Sequence, residues 1–258
     1  MRPVLFEIFG AEIRSYYLLW ASALFLLVVW TRRRASRVYG MDDRAVSSVL
    51  VWVYCAGILG SFIPGIIERI PLYLDGRIEF SEIFRGLYSA GGLLCGGLFG
   101  LWRLRRLGAS ADAFADAASV PLAAMLALGR VGCLLEGCCS GAGGFYSEPP
   151  ALWLHFPSDA PNFWRFPSQP AESAASLCIA VFLCLLSAAL PEDARRRGGV
   201  LFPFMLILYG LYRLLSDPRR QLYADGLMNV NAFVWAAGII AGAAWLCRTV
   251  KRRLAERR

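Results

Sequence analysis

Seven times between residues 13 and 247 the chain returns to an apolar run long enough, or nearly long enough, to cross a bilayer. No other feature restricts its fold as strongly. Hydrocarbon offers no partner to a bare backbone N–H or C=O, so a crossing segment must close its hydrogen bonds internally. A helix of about 20 apolar residues does so. The runs are Ile13–Trp30, Val46–Ile67, Leu87–Trp102, Ala113–Leu135, Ala174–Leu190, Val200–Leu215 and Ala232–Cys247. They predict an all-α, polytopic membrane protein of about seven transmembrane helices, in one integral membrane domain spanning residues 1–258. A hydrophobic content of 57% agrees.

A net charge of +8 raises the question of nucleic acid, but its distribution answers otherwise. Most of the basic residues fall on alternate loops: Arg32, Arg33, Arg34, Arg37 and Arg44 after the first run, Arg103, Arg105 and Arg106 after the third, Arg195–Arg197 after the fifth, and Arg248–Arg258 after the seventh. That alternation is the positive-inside pattern, which predicts an outside N-terminus and a cytoplasmic C-terminus. The sequence "TRRRASR" behind the first run reads as a stop-transfer signal, so that run is expected to be retained as a helix.

Eight cysteines are too scattered for a disulfide framework. Cys55, Cys95, Cys178, Cys184 and Cys247 fall inside apolar runs, where cysteine is a small apolar residue. Cys133, Cys138 and Cys139 fall near the expected outer surface. Gly92, Gly96 and Gly100, four apart in "GGLLCGGLFG", suit close helix packing, with a lipid tail in the groove as the alternative. The longest extramembrane region, at about 140–173, is rich in proline and aromatics and suits a folded interfacial loop. Residues Pro71–Arg85 are expected to lie flat on the same surface. No internal repeat appears, which speaks against a small-solute carrier.

Arg130 and Arg213 interrupt apolar runs. At 1.5 Å per residue they sit roughly 26 Å and roughly 20 Å along the fourth and sixth runs from the cytoplasmic side. Arg14, Tyr16, Ser89 and Ala90 share that level. A lone arginine there can snorkel to headgroups. Two at one depth favour a shared anion, because guanidinium forks match phosphate oxygens. If the fourth helix continues far enough, Arg130, Cys133, Leu134, Gly137 and Gly141 share one stripe. Tyr209, Arg213 and Asp217 follow i, i+4, i+8 on the sixth, so Asp217 orients Arg213 or is simply solvated.

With those residues in view, "GRVGCLLEGCCSG" resembles the Gly-Arg-x-Gly-Asn signature of the prolipoprotein diacylglyceryl transferase family. "SAGGLLCGGLFG", "RFPSQPAES" and "YGLYRLLSDPR" resemble that family's His-Gly-Gly-Leu helix, Arg-His-Pro-Ser-Gln-Leu-Tyr-Glu loop and Tyr-Gly-x-x-Arg helix. The resemblance implies transfer of the diacylglyceryl group of phosphatidylglycerol to a cysteine thiol of a lipoprotein precursor, with release of glycerol phosphate. It implies a bacterial inner-membrane location with the site toward the outer leaflet, and no cofactor. On it, Arg130 binds the phosphate and Arg213 steadies the leaving group. Tyr16 matches the first-helix tyrosine; read from the residues alone, Asp217 and Glu136 join the catalytic set. Tyr209, Gly141, Cys133, Ser168 and Gln169 are substrate-binding.

The sequence departs from the family where protons are handled. Ala90 and Phe166 stand for the family's two histidines, Cys133 for the signature asparagine, and Cys138 for the glutamate that follows it. A thiol nucleophile needs a base, and Glu136, Asp217, Glu172 and His155 are the remaining candidates. Cys138 and Cys139 read as small-residue substitutions, as disulfide partners of Cys133, or as an enzyme-borne thiol that takes the lipid. Their spacing, without nearby histidine, matches no zinc pattern, so no metal is expected. The partners implied are phospholipid, membrane and a precursor or other acceptor, and no nucleic acid. The alternative is a lipid-binding or lipid-translocating protein that kept the headgroup site without the chemistry.

Overall fold

A computed structural model of the chain describes residues 4–8, 11–84, 89–220 and 228–256. Two short strands, β1 (Val4–Ile8) and β2 (Ala11–Arg14), form an antiparallel hairpin ahead of α1 (Ser15–Arg37). There follow α2 (Asp43–Leu74), α3 (Ser89–Arg106) and α4 (Ala111–Glu136). A second hairpin, β3 (Gly143–Phe145) with β4 (Phe163–Arg165), occupies the long loop. The chain closes with α5 (Ser168–Ala189), short α6 (Glu192–Arg197), α7 (Leu201–Ser216) and α8 (Met228–Ala255).

Five of these helices, α1, α2, α4, α5 and α8, are long and apolar enough to cross a membrane. The expected third and sixth apolar runs form helices, α3 and α7, of 18 and 16 residues, and neither is among those five. Several boundaries differ from the sequence reading. The hairpin takes Ile13, so the first helix starts at Ser15 and runs through the arginines to Arg37. The second continues past Pro64 and Pro71 to Leu74, so the start of the segment expected to lie flat is helical instead. Proline is tolerated in such helices where neighbours satisfy the freed carbonyls. The fifth begins at Ser168, which moves Ser168, Gln169 and Glu172 out of the expected loop and into a helix. Leu87, the expected start of the third run, lies outside the described residues.

Helix α4 is the hub. It packs on α1, α5 and α7, and half of its apolar span is buried, more than in any other candidate span. Val120 and Ala123 meet Ile179, Ala180 and Leu183 of α5 and Leu201 and Met205 of α7 in one core cluster. Ala113 and Ala117 meet Ala35, Tyr39, Val46 and Leu50 in another. Ser110 caps the helix by accepting from the Ala113 N–H, and Gly137 ends it in the left-handed conformation, φ 78°. The expected stripe from Arg130 to Gly141 therefore stops at Glu136.

The glycines around Arg130 are spacers. A Cβ on Gly129 would lie 2.8 Å from the Trp20 ring, and one on Gly132 would lie 3.3 Å from Leu19 Cβ. Both faces are pressed against α1. The α3 glycines serve packing too: Cβ atoms on Gly92 and Gly96 would meet the carbonyls of Gly57 and Val53 at 3.0 Å. That is close helix packing, the first of the two sequence readings.

Buried Asp116 of α4 accepts from the Val200 and Phe202 N–H groups, both at 2.9 Å, so α4 caps the first turn of α7. The start of α7 is thus level with Asp116. Arg130 lies about 21 Å along α4 from Asp116, and Arg213 about 20 Å along α7 from Val200. The basic clusters collect at the Asp116 end. Arg253 donates to the Gly198 carbonyl, Arg252 pairs with Asp112 and Arg197 with Glu256, and Arg34 reaches Ser187 at the end of α5. The two interrupting arginines sit at the opposite end.

Candidate active site

Glu172, in the first turns of α5, is the centre of the cluster at that end. It is almost completely buried. Its Oε1 lies 2.9 Å from Arg130 Nε of α4 and accepts from Arg213 Nη1 of α7 at 3.2 Å and the Tyr209 hydroxyl at 2.8 Å. Its Oε2 accepts from Arg220 Nη1 at 2.9 Å. Four side chains, from α4, α7 and the segment beyond α7, therefore converge on one carboxylate. A buried carboxylate is tolerable only when opposite charge and full hydrogen bonding replace its hydration, and here both do.

Asp217 orients Arg213, as one of the sequence readings proposed, and it is buried rather than solvated. Its Oδ1 accepts from Arg213 Nε and Nη2 at 2.9 and 2.7 Å, and its Oδ2 from Trp235 Nε1 of α8 at 2.8 Å. The Arg213 guanidinium also lies over the Trp235 ring, 4.7 Å from its centre, a cation–π contact that adds a wall without consuming a donor. The two expected arginines thus converge, but on a protein carboxylate that the sequence reading considered only as a base.

Arg220 was not foreseen. It follows a 3-10 turn, Asp217–Arg219, beyond the end of α7, where helical periodicity assigns no face. Gly141 positions it through a backbone bridge between Gly141 and Arg220. The Gly141 N–H donates to the Phe166 carbonyl at 3.2 Å, and a Cβ there would meet that oxygen at 2.5 Å and the Arg219 carbonyl at 3.0 Å. Only glycine lets the three backbones approach. Phe166 supports the Arg219 guanidinium on its ring at 5.5 Å.

The cysteine turn closes the site. Gly137 reverses the chain, so the Cys138 N–H donates to the Cys133 carbonyl at 3.1 Å. Cys139 adopts φ 59°, a left-handed conformation that costs a β-carbon residue about 1 kcal/mol. The Ser168 hydroxyl donates to the Cys139 carbonyl and Gln169 Nε2 to the Cys138 carbonyl, both at 2.8 Å. The donors of these two expected substrate-binding residues hold the turn. Gln169 Oε1 is buried and has no hydrogen-bond partner among the described residues. Arg130 Nη1 reaches Cys133 Sγ at 3.9 Å. All eight cysteines are free thiols, so no disulfide joins Cys133 to its neighbours. The three thiols lie against one another, and Arg130 and Arg220 are within electrostatic reach of Cys139.

The remaining base candidates differ in what they have left to accept with. Glu172 and Asp217 have both oxygens engaged by cationic or indole donors. His155 shares a 2.9 Å hydrogen bond with the Phe163 carbonyl through Nδ1 and leans on Trp164, within the loop hairpin. Glu136 accepts from Arg14 Nη1 at 2.7 Å with Oε1, and its buried Oε2 has no partner among the described residues. Tyr16 rests against α4, its backbone beside Gly132, within electrostatic reach of the three thiols.

Helices of bilayer-crossing length that enclose a buried cluster of arginines and carboxylates define an integral membrane protein with a charged centre at one end of its bundle. The chain belongs to the prolipoprotein diacylglyceryl transferase family, whose model matches residues 3–248. It is 25% identical to a phosphatidylglycerol–prolipoprotein diacylglyceryl transferase of Clostridium tetani, over 94% of this chain and 95% of that one. A second such protein, from Clostridium perfringens, is 27% identical over 94% and 93% of the two chains. One from Frankia casuarinae is 33% identical over 93% of this chain and 58% of its own. The resemblance read from four motifs is therefore one of family membership, and the chain is a transferase by family.

Proposed function

We propose that the chain transfers the diacylglyceryl group of phosphatidylglycerol to the cysteine thiol of a lipoprotein precursor, and that Arg130, Arg213 and Arg220 receive the lipid phosphate. One observation carries this reading. Three guanidiniums surround two carboxylates, Glu172 and Asp217, so the cluster keeps one uncompensated positive charge. A phosphodiester brings one negative charge. Arg130 is the most exposed of the three and the natural first contact.

In the reaction the precursor's sulfur forms a C–S bond to the terminal glycerol carbon of the diacylglyceryl group. The bond from that carbon to the phosphate oxygen breaks, and its electron pair leaves with glycerol phosphate, which departs with one more negative charge. Fixed cationic donors at that oxygen stabilise the developing charge. The thiol proton goes to Glu136, whose Oε2 is the open carboxylate oxygen among the four candidates. Tyr16 lines the approach from α1. The acceptor cysteine is supplied by the substrate, not by Cys138 or Cys139, because a lipid thioether on the enzyme has no good leaving group to pass it on.

Seven spans, an outside N-terminus, a cytoplasmic C-terminus and a site in the outer leaflet of the bacterial inner membrane complete the proposal. The gathering of basic residues at the end opposite Glu172 supports that orientation. A second reading, lipid holding without chemistry, draws support from His155 being the sole histidine and tied into the loop.

One assay separates them. The purified protein in phosphatidylglycerol vesicles with a cysteine-containing precursor peptide should release glycerol phosphate and lipidated peptide one for one, and Arg130→Ala should abolish both. Binding of phosphatidylglycerol without product would favour the second reading. Neither binding nor product would remove the first as well.

A further inference from the structure

We propose that Cys133, Cys138 and Cys139 form a binding site for one thiophilic monovalent metal ion of the Cu(I) type, held by three sulfurs. Their Sγ atoms all lie within 4.8 Å of one another, although the sequence spacing matches no familiar metal pattern. The helix terminus explains the difference: the left-handed Gly137 folds Cys138 back over Cys133, and the left-handed Cys139 turns a third sulfur to the same point.

The backbone of this turn is held independently of any ion. Ser168 and Gln169 clamp the carbonyls of Cys139 and Cys138, and Gly141 is locked to Phe166. A metal–sulfur bond of about 2.3 Å places three coplanar sulfurs about 4 Å apart, so the triad needs adjustments of less than about 1 Å. A disulfide needs a pair brought to about 2.05 Å, a much larger contraction of a clamped turn.

The donor set selects the ion. Soft thiolates favour Cu(I) and zinc among the biological metals, and structural zinc takes four ligands. The described residues place no His, Asp or Glu in the group as a fourth. Three thiolates around a monovalent ion carry two negative charges. Arg130 Nη1 stands 3.9 Å from Cys133 Sγ, and Arg220 is also within electrostatic reach of Cys139. Burial falls from Cys133 through Cys138 to exposed Cys139, which gives an ion a way in.

The test needs no lipid substrate, so its failure leaves the transfer reading untouched. Protein reduced with a phosphine is titrated with Cu(I) in competition with bathocuproine disulfonate. Wild type should retain one equivalent, and the Cys138→Ser/Cys139→Ser double variant should hold it at least tenfold more weakly. On wild type, one equivalent should shield Cys133, Cys138 and Cys139 from iodoacetamide while Cys55, Cys95, Cys178, Cys184 and Cys247 react as before. That map decides the matter if the double variant does not fold. No retention by wild type, equal retention by a folded double variant, or a disulfide within the triad of protein isolated without reductant each overturns the proposal.

Discussion

Arg130 and Arg213, carried by α4 and α7, share a single oxygen atom, Oε1 of Glu172, at 2.9 and 3.2 Å. Each guanidinium keeps further N–H groups, so the carboxylate spaces the two forks without exhausting them.

Removing that spacer should destabilise the fold. Glu172→Gln keeps the shape and leaves three arginines facing one another around a neutral amide. Breaking a buried ion pair from one side costs about 3 kcal/mol or more, so the melting temperature in detergent should drop clearly. Adding Arg220→Met should recover part of the loss. An unchanged melting temperature in Glu172→Gln would show that the carboxylate does not hold the cluster.

Arg130 spends Nε on Glu172 and Nη1 on Cys133. Lysine offers one ammonium and cannot reproduce that fork. Arg130→Lys should therefore lower kcat/KM for glycerol phosphate release roughly 100-fold or more, the size of losing a fixed donor at a developing oxyanion. Near-normal turnover would mean that a point charge suffices.

Glu136→Gln tests the proton acceptor. The variant should still bind phosphatidylglycerol yet slow transfer to a cysteine peptide by about 100-fold or more, within the range of general-base contributions. A selenocysteine peptide, which ionises without help, should recover most of that rate. An equal defect with both peptides would point to a structural role beside Arg14.

Part of this arrangement was legible in the sequence. Arg130 and Arg213 announced a shared centre because lipid does not tolerate unpaired charge, and Asp217 followed from helical spacing. Glu172 was visible, but its role depends on α5 beginning at Ser168, six residues before the apolar run. Arg220 and the thiol triad were not legible. Both lie just past helix ends, after the 3-10 turn Asp217–Arg219 and after the left-handed Gly137, where periodicity ends and only three-dimensional packing determines direction. Ser168 and Gln169 stood out in the sequence as substrate-binding candidates, and their donors turn inward to the cysteine carbonyls. The first hairpin, β1–β2, is too short to stand out beside the helical run that follows it.

The long loop carries its own ionic latch. Asp159 accepts from Arg165 Nε at 3.0 and 2.9 Å and from Nη2 at 2.7 Å, and these bonds hold its carboxyl below the usual aspartate range. A carboxyl lowered by folding stabilises the folded loop above its ordinary pKa, about 3.9, and loses that contribution as pH falls through the depressed value. Protection against hydrogen exchange over 146–165, taken relative to the intrinsic rate at each pH, should stay high from neutrality to about pH 4 and then fall. Asp159→Asn should exchange faster at neutral pH and lack the acid transition. A loop equally protected in both proteins would show that the latch is idle.

The cap that Asp116 places on α7 has a consequence at the far end of the bundle. Fastened there and again at Glu172, α4 and α7 form a gauge whose jaws are set before any ligand arrives. Such a gauge sorts molecules by the size and charge of the group between its jaws and is indifferent to whatever trails behind. Acyl chains of different length should pass equally well, while a bulkier or uncharged headgroup should be turned away.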